Sequence, residues 1–225
     1  MSRKKLPYKT FSWNRNLAYA IGLIVTDGSM SRDGRHIVFS SSDLELIKIF
    51  KSCLNLNIKI TEKKKSGWTK KTPYMIQFGN IQLYNWLLSI GLHPNKTYDI
   101  GKIKIPDEYF PDFLRGHLDG DGSIWTYIDR WNTFKNKKYV YKRLYIRFLS
   151  ASQKHILWLQ TSISRLLGIS GRIYERKPSR PNQKTSLWEL KFAKKDSMKL
   201  IGLIYYNKNV PCLKRKRKVA DDFIN

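Results

Sequence analysis

The segment Ala18-Tyr-Ala-Ile-Gly-Leu-Ile-Val-Thr-Asp-Gly-Ser29 has a counterpart later in the chain, Asp112-Phe-Leu-Arg-Gly-His-Leu-Asp-Gly-Asp-Gly-Ser123. In both segments an apolar stretch containing a glycine leads into the tripeptide Asp-Gly-Ser, and these residues match at one constant offset. Matches at a fixed offset indicate an internal repeat. The chain is therefore predicted to contain two similar units, each beginning with one of these segments.

The similarity continues downstream of both segments. Every second residue is apolar over residues 74–78 and again over 188–192. This alternation is typical of a half-buried strand. Periodic apolar stretches at about 81–90 and about 197–206 predict the helix that closes each unit. Each unit thus reads as helix, two strands, helix, two strands and helix, an α+β fold of two αββαββα repeats.

The boundary between the units is marked by two prolines. Residues 101–111 contain both prolines and are predicted to form a short linker. We accordingly divide the chain into an N-terminal repeat, 1–105, and a C-terminal repeat, 106–225. The second repeat carries an additional basic hairpin tip at residues 129–142.

The composition restricts the class of partner. With 43 Lys and Arg against 17 Asp and Glu, the 225-residue chain has a formal net charge of +26. Because 41% of the residues are hydrophobic and 13% aromatic, the chain can bury a core, which excludes a disordered basic tail. A polyanion is the natural partner of such a protein, with nucleic acid first and an anionic membrane surface second.

Other classes are excluded by missing patterns. Cys53 and Cys212 have no spacing typical of a disulfide framework or a zinc site, and the four histidines form no nuclease motif. The apolar run 17–25 is far shorter than the ~20 residues that span a membrane. We expect an intracellular protein, and its richness in Lys, Ile, Asn and Tyr is typical of AT-rich coding DNA, which suggests an organelle (mitochondrion or chloroplast) or a bacterial cytoplasm.

The two repeated segments are predicted to be helices that pack on each other. Small residues, including Gly22 in the first helix and Gly116 and Gly120 in the second, allow two backbones to approach closely. Each helix ends at an Asp-Gly pair, and we expect Gly28 and Gly122 to stop the helices in the left-handed conformation.

This packing places Asp27 and Asp121 side by side at the negative ends of two helix dipoles. Fold stability alone would not favour two carboxylates there, whereas Mg²⁺ prefers carboxylate and carbonyl oxygens and would also bridge to phosphate. The alternative is that Asp-Gly is simply a common turn dipeptide. Two matched copies in a highly basic chain favour the metal site.

The two segments resemble a known family. Ala20-Ile-Gly-Leu-Ile-Val-Thr-Asp-Gly28 and Leu114-Arg-Gly-His-Leu-Asp-Gly-Asp-Gly122 are similar to the two motifs of single-chain LAGLIDADG homing endonucleases. The resemblance implies a saddle of two four-stranded antiparallel sheets over a long DNA duplex, with the motif helices at a pseudo-twofold interface. It also implies cleavage of both strands with 3′ overhangs. The first copy departs from the family pattern at Val25 and Thr26.

The resemblance also implies a set of metal ligands. Asp27 and Asp121 would be the metal-binding catalytic acids, assisted by the carbonyls of Thr26 and Gly120. The expected cofactor is Mg²⁺, with Mn²⁺ as a substitute, while Ca²⁺ is expected to bind without supporting cleavage.

By the same resemblance, Lys96 and Lys216 would lie near the scissile phosphate and assist catalysis. The alternatives are an ordinary exposed loop lysine for Lys96 and, for Lys216, a place in a nuclear-localisation or phosphate-binding run, 214–218. Aligning Val38-Phe-Ser-Ser-Ser-Asp43 with Phe148-Leu-Ser-Ala-Ser-Gln153 puts Ser40 and Ser150 at a family position near the water network.

Strand residues that face away from the helices are predicted to read the duplex. Basic, polar and aromatic side chains are concentrated there, and the alternative is a merely solvated sheet face. The predicted DNA-binding residues are Arg32, Arg35, Ser40, Thr61, Lys63, Gln77, Arg147, Ser150, Arg172, Tyr174, Arg176 and Lys191. For six tryptophans the alternatives are a stacking platform and a core or sheet-edge position, and the second is favoured for most of them; they are Trp13, Trp68, Trp125, Trp131, Trp158 and Trp188.

The leading hypothesis is a monomeric, Mg²⁺-dependent, site-specific endonuclease that cuts double-stranded DNA and is free-standing and intron-encoded. Two alternatives remain open: an RNA maturase of the same family that binds intron RNA, and a catalytically silent DNA-binding regulator. Retention of both aspartates favours the nuclease over the regulator.

Overall fold

A computed structural model describes residues 11–62, 72–178 and 185–224. The first repeat contains α1 (Arg15–Asp27), β1 (Gly28–Met30), β2 (His36–Ser41), α2 (Leu44–Cys53), β3 (Thr61–Glu62), β4 (Tyr74–Gly79) and α3 (Ile81–Ser89). The second contains α4 (Phe110–Gly120), β5 (Ser123–Asp129), β6 (Tyr141–Ser150), α5 (Gln153–Leu167), β7 (Arg172–Arg176), β8 (Leu187–Phe192), α6 (Lys194–Ile204) and α7 (Lys214–Ile224). The predicted αββαββα order is confirmed in both repeats, and in the second repeat it is followed by α7.

Each repeat forms one antiparallel four-stranded sheet. The strand orders are β1-β2-β4-β3 and β5-β6-β8-β7, so the two sheets have the same topology. The inner faces carry buried residues such as Phe39, Ile76, Phe148 and Leu190, and they pack against the helices. The opposite faces are left without a covering layer in the described parts of the chain. No helix within those parts is long and apolar enough to cross a membrane.

Two boundaries and one helix differ from the predictions. Helix α6 begins at Lys194 rather than near Ser197. Pro111, assigned to the linker, lies in the first turn of α4, where its missing N–H costs nothing. Helix α7 was not predicted, because residues 214–218 read as a charged run and the apolar side of the helix is completed only by Ala220 and Phe223. The division of the chain at residue 105 stays a prediction.

Helices α1 and α4 pack backbone to backbone, as predicted. A Cβ added to Gly22 would overlap the carbonyl oxygen of Phe113, and one added to Gly116 would overlap that of Tyr19. The same Cβ on Gly116 would lie 3.2 Å from the Cα of Gly22, so the two glycines face each other across the contact. The interface between the repeats therefore depends on the absence of side chains at these positions.

The predicted left-handed caps are wrong. Gly28 has an extended conformation, with φ −92° and ψ 156°, and Gly122 is not among the residues with positive φ. Glycine is needed instead because a Cβ would lie 2.6 Å from the Cα of Ile24 at the first position, and 2.7 Å from that of Leu118 at the second. The chain turns from helix into strand directly in the first repeat and after two residues in the second, and these tight turns leave no room for a side chain.

Replacing Gly116 with alanine should destabilise the protein by about 3 kcal/mol or more, because the atoms that must give way are backbone atoms. Urea unfolding of the whole chain measures the effect. Gly202→Ala is the matched control: this glycine lies in α6, no described atom beyond its own helix backbone and chain neighbours lies within 4 Å of an added Cβ, and the change should stabilise the helix by about 0.5–1 kcal/mol. Equal unfolding midpoints for the two variants would contradict the close α1–α4 contact.

Candidate active site

The two aspartates of the repeated segments lie at the same end of the α1–α4 pair. Asp27 is the last residue of α1, and Asp121 caps α4. Burial, and then the charge of Asp121, raise the pKa of Asp27 to about 6. Loss of hydration likewise raises the pKa of Asp121, although its side chain keeps contact with solvent. The structure thus brings the two predicted acids together, close enough to repel each other.

The neighbours of Asp27 shape this carboxylate site. The hydroxyl of Thr26 lies 3.1 Å from Oδ2 of Asp27, and this hydrogen bond works against the rise in the pKa of Asp27. Across the interface, a Cβ on Gly120 would lie 2.7 Å from the same carboxylate oxygen. Gly120 therefore provides the space into which the side chain of Asp27 extends from the other repeat.

Two lysines lie beside these acids, and both are buried. Lys96 and Lys216 are 5% and 6% exposed, which excludes the exposed-loop and surface-run interpretations of these two residues. Lys96 donates to the carbonyl of Gly28, and Lys216 donates to that of Gly122 at 2.7 Å and to two carbonyls at the end of α4 at 2.6 and 2.8 Å. Gly28 and Gly122 are equivalent in the two repeats, so the lysines are placed pseudo-symmetrically.

Both lysines are charged at neutral pH despite their burial. Burial lowers the pKa of Lys96 and of Lys216 to about 8, and the nearby carboxylates, Asp27 and Asp121 among them, oppose the shift. At pH 7 each ammonium group is still mostly protonated. The site therefore combines two crowded carboxylates with two fixed positive charges.

The oxygen donors fit a hard divalent cation. Asp27 and Asp121 supply carboxylates, and the carbonyls of Thr26 and Gly120 belong to the adjoining helix ends. The Gly120 carbonyl lies 3.4 Å from Nζ of Lys216, the longest of the contacts of that lysine, which leaves it free to accept another partner. No group of three or more His, Cys, Asp or Glu suited to a metal occurs among the described residues, so water and phosphate oxygens would complete the coordination.

One buried carboxylate of this region, that of Asp119, is not among the predicted site residues. Asp119 accepts a hydrogen bond from the Tyr19 hydroxyl at 2.7 Å and another from the backbone N–H of Leu213 at 2.8 Å. It therefore ties α4 to α1 and to the segment that enters α7. The signal was present in the sequence, because Asp119 stands where the first repeat has Val25.

A cavity of about 330 Å³ opens beside Asp27. Asp27, Gly120 and the Ser40–Asp43 segment line it together with Arg215, whose guanidinium pairs with Asp43 at 3.2 Å. Arg215 comes from the basic run on α7, so residues of both repeats surround this opening. Sequence reasoning did not single out Arg215, because nothing distinguished it within the run.

The outer face of the first sheet carries several of the predicted DNA-binding residues. Strand pairing puts Ser40 and Thr61 on one rung, on either side of Met75, and puts Gln77 on the next outward rung. Arg32 and Arg35 lie in the turn between β1 and β2. Lys63 lies outside the described residues, so its position stays a prediction.

The outer face of the second sheet carries Arg147, Arg172 and Lys191 on one rung. Tyr174 and Arg176 follow on the same face of β7. The predicted orientation of these five residues is thus confirmed.

Aromatic rings add to this face, and two of them, Trp125 and Tyr145, are not among the predicted DNA-binding residues. The rings of Trp125 and Tyr145 stack with centroids 5.2 Å apart. Nζ of Lys191 lies 4.3 Å from the Tyr145 centroid, and the guanidinium of Arg147 lies 5.3 Å from that of Trp125. The second sheet therefore differs in chemistry from the first, whose described outward rungs carry Ser40, Thr61 and Gln77 beside Met75 and Val38 and have no aromatic pair of this kind.

The placement of Ser150 on the outer face is wrong. Ser150 shares the inward parity of Phe148, and Leu149 faces outward instead. The cause is a one-residue misalignment of the repeats: Oγ of Ser150 accepts from the backbone two residues ahead at 3.1 Å, as Oγ of Ser41 does in the first repeat. Ser150 is thus equivalent to Ser41 and not to Ser40.

Comparison with known proteins supports the family resemblance. Residues 15–91 match a family model described as LAGLIDADG-like domain. No protein of curated function matches the chain.

Solved structures with the same fold cover nearly the whole chain. Full-length DUF199/WhiA from Thermotoga maritima is 15% identical with a TM-score of 0.54, and the match covers 96% of this chain but only 63% of that protein. The I-LtrWI LAGLIDADG homing endonuclease bound to target DNA is 15% identical with a TM-score of 0.56, covering 94% of this chain and 89% of that one. I-DmoI in complex with DNA and Ca is 16% identical with a TM-score of 0.56, covering 92% and 97%.

Proposed function

We propose that this chain, whose residues 15–91 form a LAGLIDADG-like domain and whose two repeats have the single-chain LAGLIDADG homing-endonuclease fold, is a site-specific DNA endonuclease. It makes a double-strand break with 3′ overhangs in a long target, and the function of this break is intron homing. The observation that carries this proposal is the pairing of Asp27 with Asp121 at the interface of the repeats, beside the buried Lys96 and Lys216.

The residues of the site have distinct tasks. Asp27 and Asp121 hold divalent cations, with Mg²⁺ as the proposed cofactor, and I-DmoI structures containing Mn or Ca together with DNA support the divalent class. Such cations supply an activated water and stabilise the charge that develops on the phosphate. Lys96 and Lys216 offset the negative charge of the carboxylates, which favours the approach of a phosphodiester.

The outer sheet faces bind the duplex. Each repeat presents one face, so a single chain covers both halves of a target, and the excess of positive charge favours the phosphate backbone. The guanidinium of Arg147 is held by Oγ of Ser123 at 2.6 Å and by the ring of Trp125. An arginine fixed in this way is suited to a bidentate contact with guanine.

A cleavage screen tests the proposal. The purified chain is incubated with a randomised DNA library in Mg²⁺, with Ca²⁺ and the Asp27→Asn/Asp121→Asn double variant as controls, and the ends produced are sequenced. We expect discrete double-strand breaks with 3′ overhangs from the unsubstituted chain in Mg²⁺, and no breaks in Ca²⁺ or from the double variant. Selective binding without breaks under any metal would overturn the proposal.

A DNA-binding protein without nuclease activity is the second candidate. WhiA shares the fold over 96% of this chain, so the fold is not confined to proteins named as endonucleases. The same screen decides between the two candidates, because a silent binder enriches a target sequence and leaves it uncut.

Glu189 gives a prediction about target reading. This buried carboxylate lies on the outer face of β8, where it contacts Arg176 and lies 3.8 Å from Arg147. Glu189→Gln should tighten binding to non-target duplex by about fivefold, because a charge that repels phosphate is lost and Arg176 is released. It should also reduce the preference for target DNA, because Arg147 is less firmly held. Binding titrations with target and non-target duplexes measure both effects.

Glu175→Gln is the matched control for charge. Glu175 lies on the adjacent strand β7 with the opposite parity, and it accepts a hydrogen bond from Ser186 at 2.6 Å. Its substitution changes the net charge equally and should leave the target preference intact. If the two variants lose preference equally, Glu189 has no positioning role.

A further inference from the structure

The hairpin formed by β5 and β6 extends well beyond its counterpart in the first repeat. β5 and β6 have 7 and 10 residues, whereas β1 and β2 have 3 and 6. We call residues 127–143 of this hairpin the arm. The added length cannot be needed to close the sheet, because the first repeat forms the same four-stranded topology without it.

The arm exposes large aromatic side chains to solvent. Trp131 is 83% exposed and Phe134 is 75% exposed, so Trp131 is not one of the tryptophans of the core. Other aromatics of the arm are also exposed, namely Tyr127, Tyr139 and Tyr141. Exposed aromatics at this density are typical of a binding surface and not of an inert loop.

The charge of the arm is strongly positive. Its cations are Arg130, Lys135, Lys137, Lys138, Lys142 and Arg143. Asp129 is its one acidic residue, and that carboxylate is paired with Arg143 at 2.8 Å. Nζ of Lys135 lies 5.6 Å from the ring centroid of Phe134, so a cation and an aromatic surface are presented together at the tip. This charge matches the phosphate backbone of a nucleic acid.

The combination of rings and cations favours unpaired nucleotides over duplex. Lysines alone suffice to hold the backbone of a duplex, whose base faces are hidden in the stack. Exposed ring faces become useful when bases are unstacked, because every base offers a π-face to an aromatic side chain. Trp131 and Phe134 stand free at the tip with this property, and the turn of the first repeat, residues 31–35, contains no aromatic residue.

We propose that the arm is a second nucleic-acid site, which binds unpaired nucleotides by stacking their bases on Trp131 and Phe134 while its lysines hold the phosphates. The site is separate from the paired aspartates and does not depend on cleavage. Single-stranded DNA and single-stranded RNA share the chemistry that the arm recognises.

The test compares single strands with duplex in EDTA, so that no cleavage interferes. Anisotropy of labelled oligo(dT), oligo(rU) and a blunt duplex of the same length is measured with the full chain and with Trp131→Ala/Phe134→Ala. We expect the variant to lose about tenfold or more in affinity for one or both single strands, and less than about twofold for duplex. A loss on one oligonucleotide alone identifies the source as DNA or RNA.

Two control variants make the result specific. Tyr98→Ala removes an aromatic side chain that is 62% exposed and lies outside the arm, and it should change neither the single-strand nor the duplex affinity. Trp131→Tyr keeps an aromatic ring at the tip and should retain most single-strand binding. Unchanged binding of both oligonucleotides, or an equal loss on duplex, would overturn the proposal. So would unchanged oligonucleotide binding combined with loss of self-association, which would assign the tip to a protein contact. Failure of the cleavage screen leaves this result unaffected.

Discussion

Asp27→Asn is expected to abolish double-strand cleavage while target binding stays within about tenfold, or about 1.4 kcal/mol. Asparagine keeps the shape of the side chain but loses the charge that holds a divalent cation, whereas the sheet faces that contact DNA are untouched. Asp121→Asn should have the same effect from the other repeat. Cleavage assays on the target in Mg²⁺, paired with binding measurements in Ca²⁺, separate the two quantities.

The same substitution should stabilise the protein in the absence of metal. Because the pKa of Asp27 is raised from 3.8 to about 6, the native state holds a proton that the unfolded chain has released between these values. Stability is therefore lost as pH rises through this window, and the loss persists at pH 7. After allowance for the partial exposure of this carboxylate, Asp27→Asn should gain about 1–2 kcal/mol at pH 7 in EDTA.

Asp43→Asn is the matched control for the predicted loss of cleavage in Asp27→Asn. Asp43 lines the same cavity as Asp27, but its side chain caps α2 and pairs with Arg215, and asparagine caps a helix equally well. We expect this variant to cleave normally.

Mg²⁺ should raise the unfolding midpoint of the wild type and not that of Asp27→Asn. A fully active Asp27→Asn protein would remove Asp27 from the metal site.

The fold was predictable because its strongest signals are local and repeated. Gly22 and Gly116 indicated a close helix contact, and alternation over residues 74–78 and 188–192 gave the inward faces of β4 and β8 correctly. The outward placement of Ser150 was wrong because a slip of one residue in the alignment of a strand moves every side chain to the opposite face of the sheet. Pairwise similarity of Ser-rich segments contained no information to detect that slip.

The acids of the site could be predicted and the burial around them could not. Asp27 and Asp121 end two helices that the pattern already paired, so their proximity follows from local sequence. Lys96 and Lys216 came from the family resemblance, and nothing local shows that they turn inward. Whether a lysine is buried depends on which carbonyls lack partners after α4 has ended, and that is a property of the assembled fold.

Lys216→Met is expected to destabilise the protein by about 3–5 kcal/mol, because three buried carbonyl oxygens lose their donor at an estimated 1–3 kcal/mol each. Methionine fills much of the same space, which limits the contribution of a cavity. Lys96→Met is the matched comparison. Among the described residues Lys96 donates to the Gly28 carbonyl alone, so its loss should cost about 1–2 kcal/mol although both lysines occupy equivalent places in the repeats. Urea unfolding in EDTA compares the two.

The pH dependence distinguishes this role from a packing effect. Burial lowers the pKa of Lys216 to about 8, whereas an unfolded lysine titrates near 10.5. The native state therefore releases its proton first, and the wild type should gain stability as pH rises from about 8 towards 10. Lys216→Met lacks this titration, so the difference in unfolding free energy between the two proteins should widen over that range. A constant difference would mean that the side chain fills space and does not bring a buried charge to the end of α4.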